Sequence, residues 1–503
     1  MSRERLLRWP AAVGSPAILD ALDAGGYRVT RRGGGVRAES RWDTHDGLLR
    51  RQRWELVHDS AGGEWRLEGP DGAARQPGSA GAPPASGPVA ERLAALVPGR
   101  RMLPWLAGEV EEESFTASRP GGEAVETVLA RWSLSSVLRP GARRTRRLIH
   151  LRGDDAELER ACAVVRSVAR CPLLRAGLFE LGLRSLGLAV PGATIPVELV
   201  LGAADPVPAA LAKLLARQAL AIEANGPGAV ADLDPEFVHD LRVATRRARA
   251  ALRLARLAGW PTRVAVARDL AWLAGSCGPL RDLDVFSAAV ESGLADAGAD
   301  PAGAAPLRAA LAAQRAEAHA AAARAIESVR FARAVRTLRT PELAFRRRRS
   351  TTPPAAVGAA ATTLVEGELR RLARWRRRDL ATLEPAELHA VRIAGKRARY
   401  ALEFLAGVLA VPVRPALDAL VLCQDCLGAH QDAVVAAARL ESLAGEMHAA
   451  GGAPATFLVL GGLLRDARVA QRRQRRRFEA QAGPMWRKVG ALRRQLRPPV
   501  APA

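Results

Sequence analysis

Residues 237–256 read FVHDLRVATRRARAALRLAR, and residues 387–406 read ELHAVRIAGKRARYALEFLA. Each string sets one histidine ahead of a ladder of cations. His239 and His389 stand 150 residues apart, and the same spacing carries Arg242 onto Arg392, Arg246 onto Lys396, Arg247 onto Arg397 and Arg249 onto Arg399. It also carries Gly278 and Asp282 of LAGSCGPLRDLDV onto Gly428 and Asp432 of VLCQDCLGAHQDAVV. Two separate motifs sharing one spacing mark a duplicated unit.

On an α-helix each residue advances by about 100°, so Arg242, Arg246, Arg249 and Arg253 fall within an arc of about 80° beside His239. The second copy repeats the stripe with His389, Arg392, Lys396 and Arg399 and ends on Glu403. Leu241, Val243 and Leu252, with Val391, Ile393 and Leu402, supply an apolar side for packing. Like charges at this spacing repel, so an isolated helix would not favour the pattern. Three readings are open: a solvated basic face, ion pairs with Asp240, Asp282, Asp284 or Glu403, or a row of guanidiniums holding successive phosphates through charge-assisted bonds. The histidine either donates to a phosphate oxygen or holds adjacent helices together.

The overall balance favours an anionic partner. The chain of 503 residues carries a formal net charge of +23, and only three of its 75 cations are lysines, Lys213, Lys396 and Lys488. Residues 1–205 hold 29 basic and 25 acidic side chains, whereas residues 206–503 hold 46 and 27. The positive field therefore belongs to the second part, which attracts polyanions through screened long-range electrostatics. Hydrophobic residues make up 49% and charged residues 25%, a globular composition, and the length implies two or three domains. No apolar run approaches the ~20 residues that span a bilayer. The opening MSRERLLRWPAAVGSP lacks the features of a secretory signal, and five cysteines in so long a chain suggest no disulfide framework. A cytoplasmic location without membrane association is the expectation.

Up to about residue 200 the sequence alternates like strands, in RWELVHD, EWRLEG, VETVLARWSL and RRLIHLRG. Residues 69–90, GPDGAARQPGSAGAPPASGPVA, read as a disordered loop, and residues 190–208 as a linker. From Ala209 onward the pattern is helical, with breaks expected at NGPGAVADLDP, AGWP, SGLADAGADPAGAAP and TTPPAAVG. Further basic runs lie at 345–350, 370–378 and 471–478, and the spacing of Arg370, Arg374 and Arg377 places them on one helix face as a secondary basic patch. The lone CQDC at 423–426 reads as two small buried side chains rather than a metal site.

The two histidine strings, each followed by Gly-x-x-x-Asp, resemble the CHAD domain, the conserved-histidine α-helical domain, over about residues 206–497. The resemblance implies an all-α fold of two four-helix bundles related by a pseudo-twofold, with repeats at about 206–345 and 355–500. It also implies binding of inorganic polyphosphate and association with polyphosphate granules. Carried over by position, the binding residues are His239, Arg242, Arg246, Arg249, His389, Arg392, Lys396 and Arg399.

Residues 41–70, with Asp43–Thr44, Leu49 to Arg53 and Trp65, resemble the CYTH family, a closed antiparallel barrel that binds triphosphate with basic residues and metal with glutamates. The expected architecture is therefore a multidomain α+β chain: a degenerate, β-barrel-like CYTH domain at 1–200 followed by the CHAD domain at 206–500. The family's opening Glu-x-Glu-x-Lys strand is missing, since Glu4 stands alone among arginines and RRTRRLIHLRG puts cations where carboxylates belong. EVEEES at 109–114 reads as a surface loop. No catalytic residue, metal site or cofactor is expected. A metal-dependent triphosphatase or polyphosphatase is one alternative function. Nucleic-acid binding is the other, disfavoured by an aromatic content of 4% and by the lack of a known recognition helix.

Overall fold

The computed structural model describes residues 3–167, 169–192, 201–345 and 354–496. The basic run beyond Phe345 and part of the 190–208 segment lie outside these residues. The chain divides into two compact units, Met1–Ile195 and Pro196–Ala503.

The first unit runs β1 (Arg3–Arg8), α1 (Ser15–Ala24), β2 (Arg28–Asp43), α2 (Leu48–Arg51), β3 (Glu55–Asp59), β4 (Glu64–Gly69), β5 (Gly72–Pro77), α3 (Pro88–Leu96), β6 (Leu103–Ser118), β7 (Val125–Ser135), β8 (Arg144–Gly153), α4 (Asp155–Ser167) and α5 (Leu178–Ser185). All eight strands form one antiparallel sheet in the order β1-β8-β7-β6-β2-β3-β4-β5. The edge strands β1 and β5 are not bonded to each other, so the sheet is curled but open, not a closed barrel. The curl brings Arg152 of β8 into the field of Glu68 on β4, although five strand spacings of about 4.8 Å separate them along the sheet.

β7 shows how the sheet is covered on both faces. Val125, Thr127 and Leu129 are buried on one face, and the first and last of these join Ile18 and Leu22 of α1 and Leu158 and Val165 of α4 in one core. Further along, Ala130, Trp132 and Leu134 are buried on the other face, against Leu178 of α5 and Leu6 and Leu148. The burial therefore switches phase midway along one strand.

Two expectations for this unit fail. Residues 69–90 contain β5 and the start of α3 instead of a loop: the Gly69–Gly72 turn returns the chain as an edge strand, where glycine, arginine and a terminal proline are tolerated. EVEEES lies within β6, between β2 and β7. Its carboxylates find partners on neighbouring strands, Glu111 with Arg131 (3.6 Å), Glu112 with Arg37 (2.9 Å) and Glu113 with Arg31 (3.4 Å), which is how a central strand carries consecutive glutamates.

The second unit contains α6 (Val207–Val230), α7 (Pro235–Leu257), α8 (Val264–Asp296), α9 (Pro301–Ile326), α10 (Val329–Arg339), α11 (Pro341–Ala344), α12 (Val357–Ala373), α13 (Pro385–Leu405), α14 (Arg414–Ala449) and α15 (Pro454–Leu496). α6, α7 and α8 begin 150 residues before α12, α13 and α14, and α9 begins 153 before α15. The Val207 N–H donates to the Ala355 carbonyl (3.0 Å) and the Val357 N–H to the Asp205 carbonyl (2.8 Å), a reciprocal pair at the pseudo-twofold. The fourth helix differs between repeats. Ser328 caps α10 by accepting from the Phe331 N–H (3.2 Å) and splits the first copy, whereas α15 runs unbroken for 43 residues. The far ends of α8, α9, α14 and α15 share one core, including Phe286, Leu307, Leu443 and Leu460.

Three details of the helical unit depart from expectation. The break expected at NGPGAVADLDP comes late, because α6 continues through Pro227 to Val230. Gly228 explains why the helix persists: an added Cβ would stand 2.5 Å from the Phe237 ring, so bare backbone packs against α7 and outweighs weak propensity. Arg370, Arg374 and Arg377 do not share a helix face, since α12 ends at Ala373 and Arg374–Arg377 forms a 3₁₀ turn. Ile393 faces solvent instead of the core.

Candidate functional site

Both ladder helices start from a proline preceded by an acidic cap. The Asp234 side chain accepts from the Glu236 N–H (2.8 Å) before α7, and Glu384 and Glu387 form a reciprocal capping box at α13. α7 then buries Phe237, Leu241, Ala244, Ala248 and Leu252, and α13 buries Leu388, Val391, Ala398 and Leu402. With those faces fixed, the cations turn along the flank of each helix and the two flanks meet.

Arg246 lies in the field of both Arg392 and Lys396, and Arg242 in that of Lys396. The Arg246–Arg392 and Arg242–Lys396 interactions are related by the pseudo-twofold. Burial first, then the Arg392 and Arg246 guanidiniums, push the Lys396 ammonium down to about 8. Burial likewise lowers Arg242 and Arg392 from the usual guanidinium range. Asp282 and Asp432 come together beside these cations: burial raises the Asp432 carboxyl, Arg392 pulls it back and Asp282 raises it further.

The Gly-x-x-x-Asp element now has a physical reason. Arg242 lies across α8 at Gly278, where an added Cβ would be 2.8 Å from Nη1, and its Nη2 reaches Asp282 Oδ1 one turn later at 3.4 Å. Arg392 passes Gly428 in the same way, with Nη2 3.6 Å from the added Cβ. That single long contact is the ion pair of the four central cations; among the described residues Arg246, Arg392 and Lys396 form none. The Nε atoms of Arg242, Arg246 and Arg392 are buried without a hydrogen-bond partner. Buried donors of this kind are costly to leave unmade, and an oxyanion would complete them.

Towards their C-terminal ends the ladders change character. Glu403 pairs with both Arg247 and Arg399 (2.5 Å to Arg399), and Glu368, 1% exposed, accepts from Arg253 and Arg371 at 3.0 Å each. Arg399 is therefore engaged with a carboxylate, while Arg249 is exposed and unpaired among the described residues. The repeats diverge here because Glu403 occupies the position equivalent to Arg253.

The two histidines differ as well. His239 is half-buried, and burial followed by Arg281 lowers its imidazole, leaving it neutral at neutral pH. His389 is exposed and its Nδ1 lies 3.3 Å from Gln431 Oε1. Arg281 and Gln431 are themselves 150 residues apart, so the interval that pairs the histidines also pairs their neighbours. Arg370, Arg374 and Arg377 are exposed, and among the described residues none meets a carboxylate. Cys423 and Cys426 are free and buried, with burial pushing the Cys423 thiol up to about 12.

In the first unit, Arg37 and Arg41 of the inner sheet face are already paired. Glu39, 5% exposed, lies between Arg37 (3.0 Å) and Arg41 (2.9 Å), and Arg41 also meets Glu55 (2.6 Å). Apolar Trp132 and Leu178 fill the neighbouring space. Asp43 of the Asp-Thr pair accepts from the N–H groups of Thr44 (2.8 Å), Leu49 (3.0 Å) and Arg50 (3.2 Å), so it organises the entry to α2. Among the described residues no three His, Cys, Asp or Glu side chains cluster closely enough to hold a metal ion, and no helix is long and apolar enough to cross a membrane.

The CHAD-domain family model matches residues 213–441, so the helical unit is a CHAD domain. Similar solved structures include the CHAD domain from the plant Ricinus communis, 29% identical with a TM-score of 0.42, the match covering 59% of this chain and 94% of that one. PptA from Streptomyces chartreusis is 22% identical with a TM-score of 0.43, covering 56% of this chain and 100% of that one. No curated protein matches the chain.

Proposed function

We propose that the CHAD domain binds inorganic polyphosphate where the two ladders converge, and that the protein associates with polyphosphate granules. The observation that carries this reading is the meeting of Arg242 and Arg246 with Arg392 and Lys396, with three guanidinium Nε groups buried and unpartnered. The four cations face two aspartates, so the cluster keeps a net positive charge. A phosphate chain supplies closely spaced oxygens that accept from several guanidiniums at once. It also stabilises the charged form of Lys396, which burial and the neighbouring guanidiniums oppose. His239, neutral at neutral pH, donates one N–H, and His389 and Arg249 extend the surface. Arg399 orders Glu403 and Arg247 instead of touching the ligand.

The test is a competition at physiological salt between polyphosphate and random duplex DNA matched in charge, using the full chain. Polyphosphate displacing DNA supports the reading. DNA binding equally or more tightly replaces it with nucleic-acid binding.

A further inference from the structure

The central site is nearly symmetric, but its surroundings are not. At the His389 end, Arg378 pairs with Glu387 (2.6 Å), two residues before the histidine on α13. Arg475 of α15 donates to the Leu380 carbonyl (3.1 Å) and lies in the field of His430, the neighbour of the Gln431 that meets His389. These contacts bring two basic runs, far apart in sequence, near the N-terminal end of α13, where its ladder starts. Arg374 and Arg377 come from the 3₁₀ turn, and Arg473 and Arg476 from α15. All four are exposed, and among the described residues none has a carboxylate partner.

The first repeat has no counterpart. The 150-residue spacing places Ala224 and Pro227 opposite Arg374 and Arg377, and the 153-residue spacing of the fourth helices places Ala320 and Ala323 opposite Arg473 and Arg476. At the His239 end, Arg281 is engaged by Glu236 (3.2 Å), and Arg315 by Asp232 and Asp284 (2.7 and 2.8 Å). Exposed cations without carboxylate partners thus lie near one end of the ladders, while at the other end Arg281 and Arg315 are held by three carboxylates. From Lys396 to His389 the α13 ladder rises only about 10 Å, so a chain leaving the centre reaches the basic end within a few phosphates.

We propose that the site is directional: a long polyphosphate chain leaves the centre past His389 and runs onto the Arg374–Arg377 and Arg473–Arg476 surface, and not past His239. The proposal rests on the polyphosphate reading above. The experiment compares tripolyphosphate, which occupies the centre alone, with long-chain polyphosphate. Two folded variants of the full chain are used: R374Q/R377Q/R473Q/R476Q, and a charge-matched control in the first repeat, R256Q/R263Q/R268Q/R324Q. Under the proposal the first variant binds long chains about tenfold more weakly, and the slope of log K against log salt falls by about 3, at ~0.7 for each phosphate no longer neutralised. Its tripolyphosphate affinity is unchanged, and the control binds both ligands as the parent does. Equal weakening in the two variants, or none in the first while tripolyphosphate still binds, would overturn directionality and leave the central site standing. A parent protein that binds neither ligand would overturn both readings.

Discussion

If the central site binds polyphosphate as proposed, Lys396 should make that binding sensitive to pH in a window where little else in it titrates. Its ammonium sits at about 8 in the free protein because burial and two guanidiniums oppose the charge. A bound phosphate chain reverses that balance and returns the group towards the ordinary lysine range near 10.4. Binding therefore takes up protons above pH 8, about half a proton per site at pH 8 itself. With a free value of about 8, affinity at pH 9 is about tenfold weaker than at pH 7, or about 1.4 kcal/mol. The neighbours leave this window clear: Cys277 is pushed up to about 11 and His239 is held below its usual range. In a long polyphosphate only the two terminal groups titrate in this range, a small fraction of its phosphates. The assay is calorimetric titration with a long-chain polyphosphate from pH 7 to 9.5, in buffers of different ionisation enthalpy so that proton uptake is read directly. Lys396→Arg should hold its affinity across the range, because guanidinium does not deprotonate there. Lys396→Gln should bind more weakly at pH 7 and also lose the pH dependence. The free protein should behave oppositely: a depressed lysine makes the folded state bind fewer protons than the unfolded chain, so this group's contribution to stability rises from pH 8 towards 10.5. A parent protein whose affinity is flat from pH 7 to 9, with no proton uptake, would refute the placement of Lys396 against the ligand.

Removing Arg242 with Arg246, or Arg392 with Lys396, should each weaken polyphosphate binding, by about 1–2 kcal/mol per side chain after allowing for screening, and removing all four should nearly abolish it. Melting temperatures of these variants should stay level or rise, since the substitutions relieve like-charge repulsion and remove buried donors that lack partners. Glu368→Ala should behave in the opposite way, costing about 2 kcal/mol in urea denaturation by stranding Arg253 and Arg371, while binding at the centre is retained. Asp43→Ala should destabilise the first unit by about 1–2 kcal/mol through loss of the N–H acceptor at α2, with polyphosphate affinity unchanged. Incubation of the full chain with inorganic triphosphate and Mg²⁺ should release no phosphate, because Arg37 and Arg41 are already held by Glu39, Glu55 and Glu112; sustained release that survives repurification would contradict this.

The duplicated strings were legible because a fixed spacing survives even where individual residues drift. The 150-residue interval that joins His239 to His389 also joins the starts of three helix pairs, so the helical architecture and its symmetry could be read from a handful of positions. The first unit was harder to read. Residues 69–90 have the composition of a loop, yet tertiary pairing with β4 makes part of them a strand, and EVEEES is tolerated in β6 only because three arginines arrive from its neighbours. Neither fact exists in the local sequence.

The basic stripe was legible in the sequence, but which of its cations would meet a carboxylate was not. A helical wheel gives Arg249 and Arg399 the same standing as Arg246 and Lys396, because all lie on one stripe. What separates them is which partner helix each meets. Where α7 and α13 bring cation against cation, charge is left over and guanidinium Nε groups stay unpartnered; one or two turns later Glu403 and Glu368 absorb it. A carboxylate placed at Arg246 would merge the centre with that scaffold and leave no surplus charge for an anion. The duplication keeps the central cations at equivalent positions and lets the supporting pair diverge, with Arg253 in one copy and Glu403 in the other. A scaffold needs only some partner for each charge, and different partners serve. Under the proposed reading, an anion spanning both repeats needs cations from each, and the string written twice supplies them.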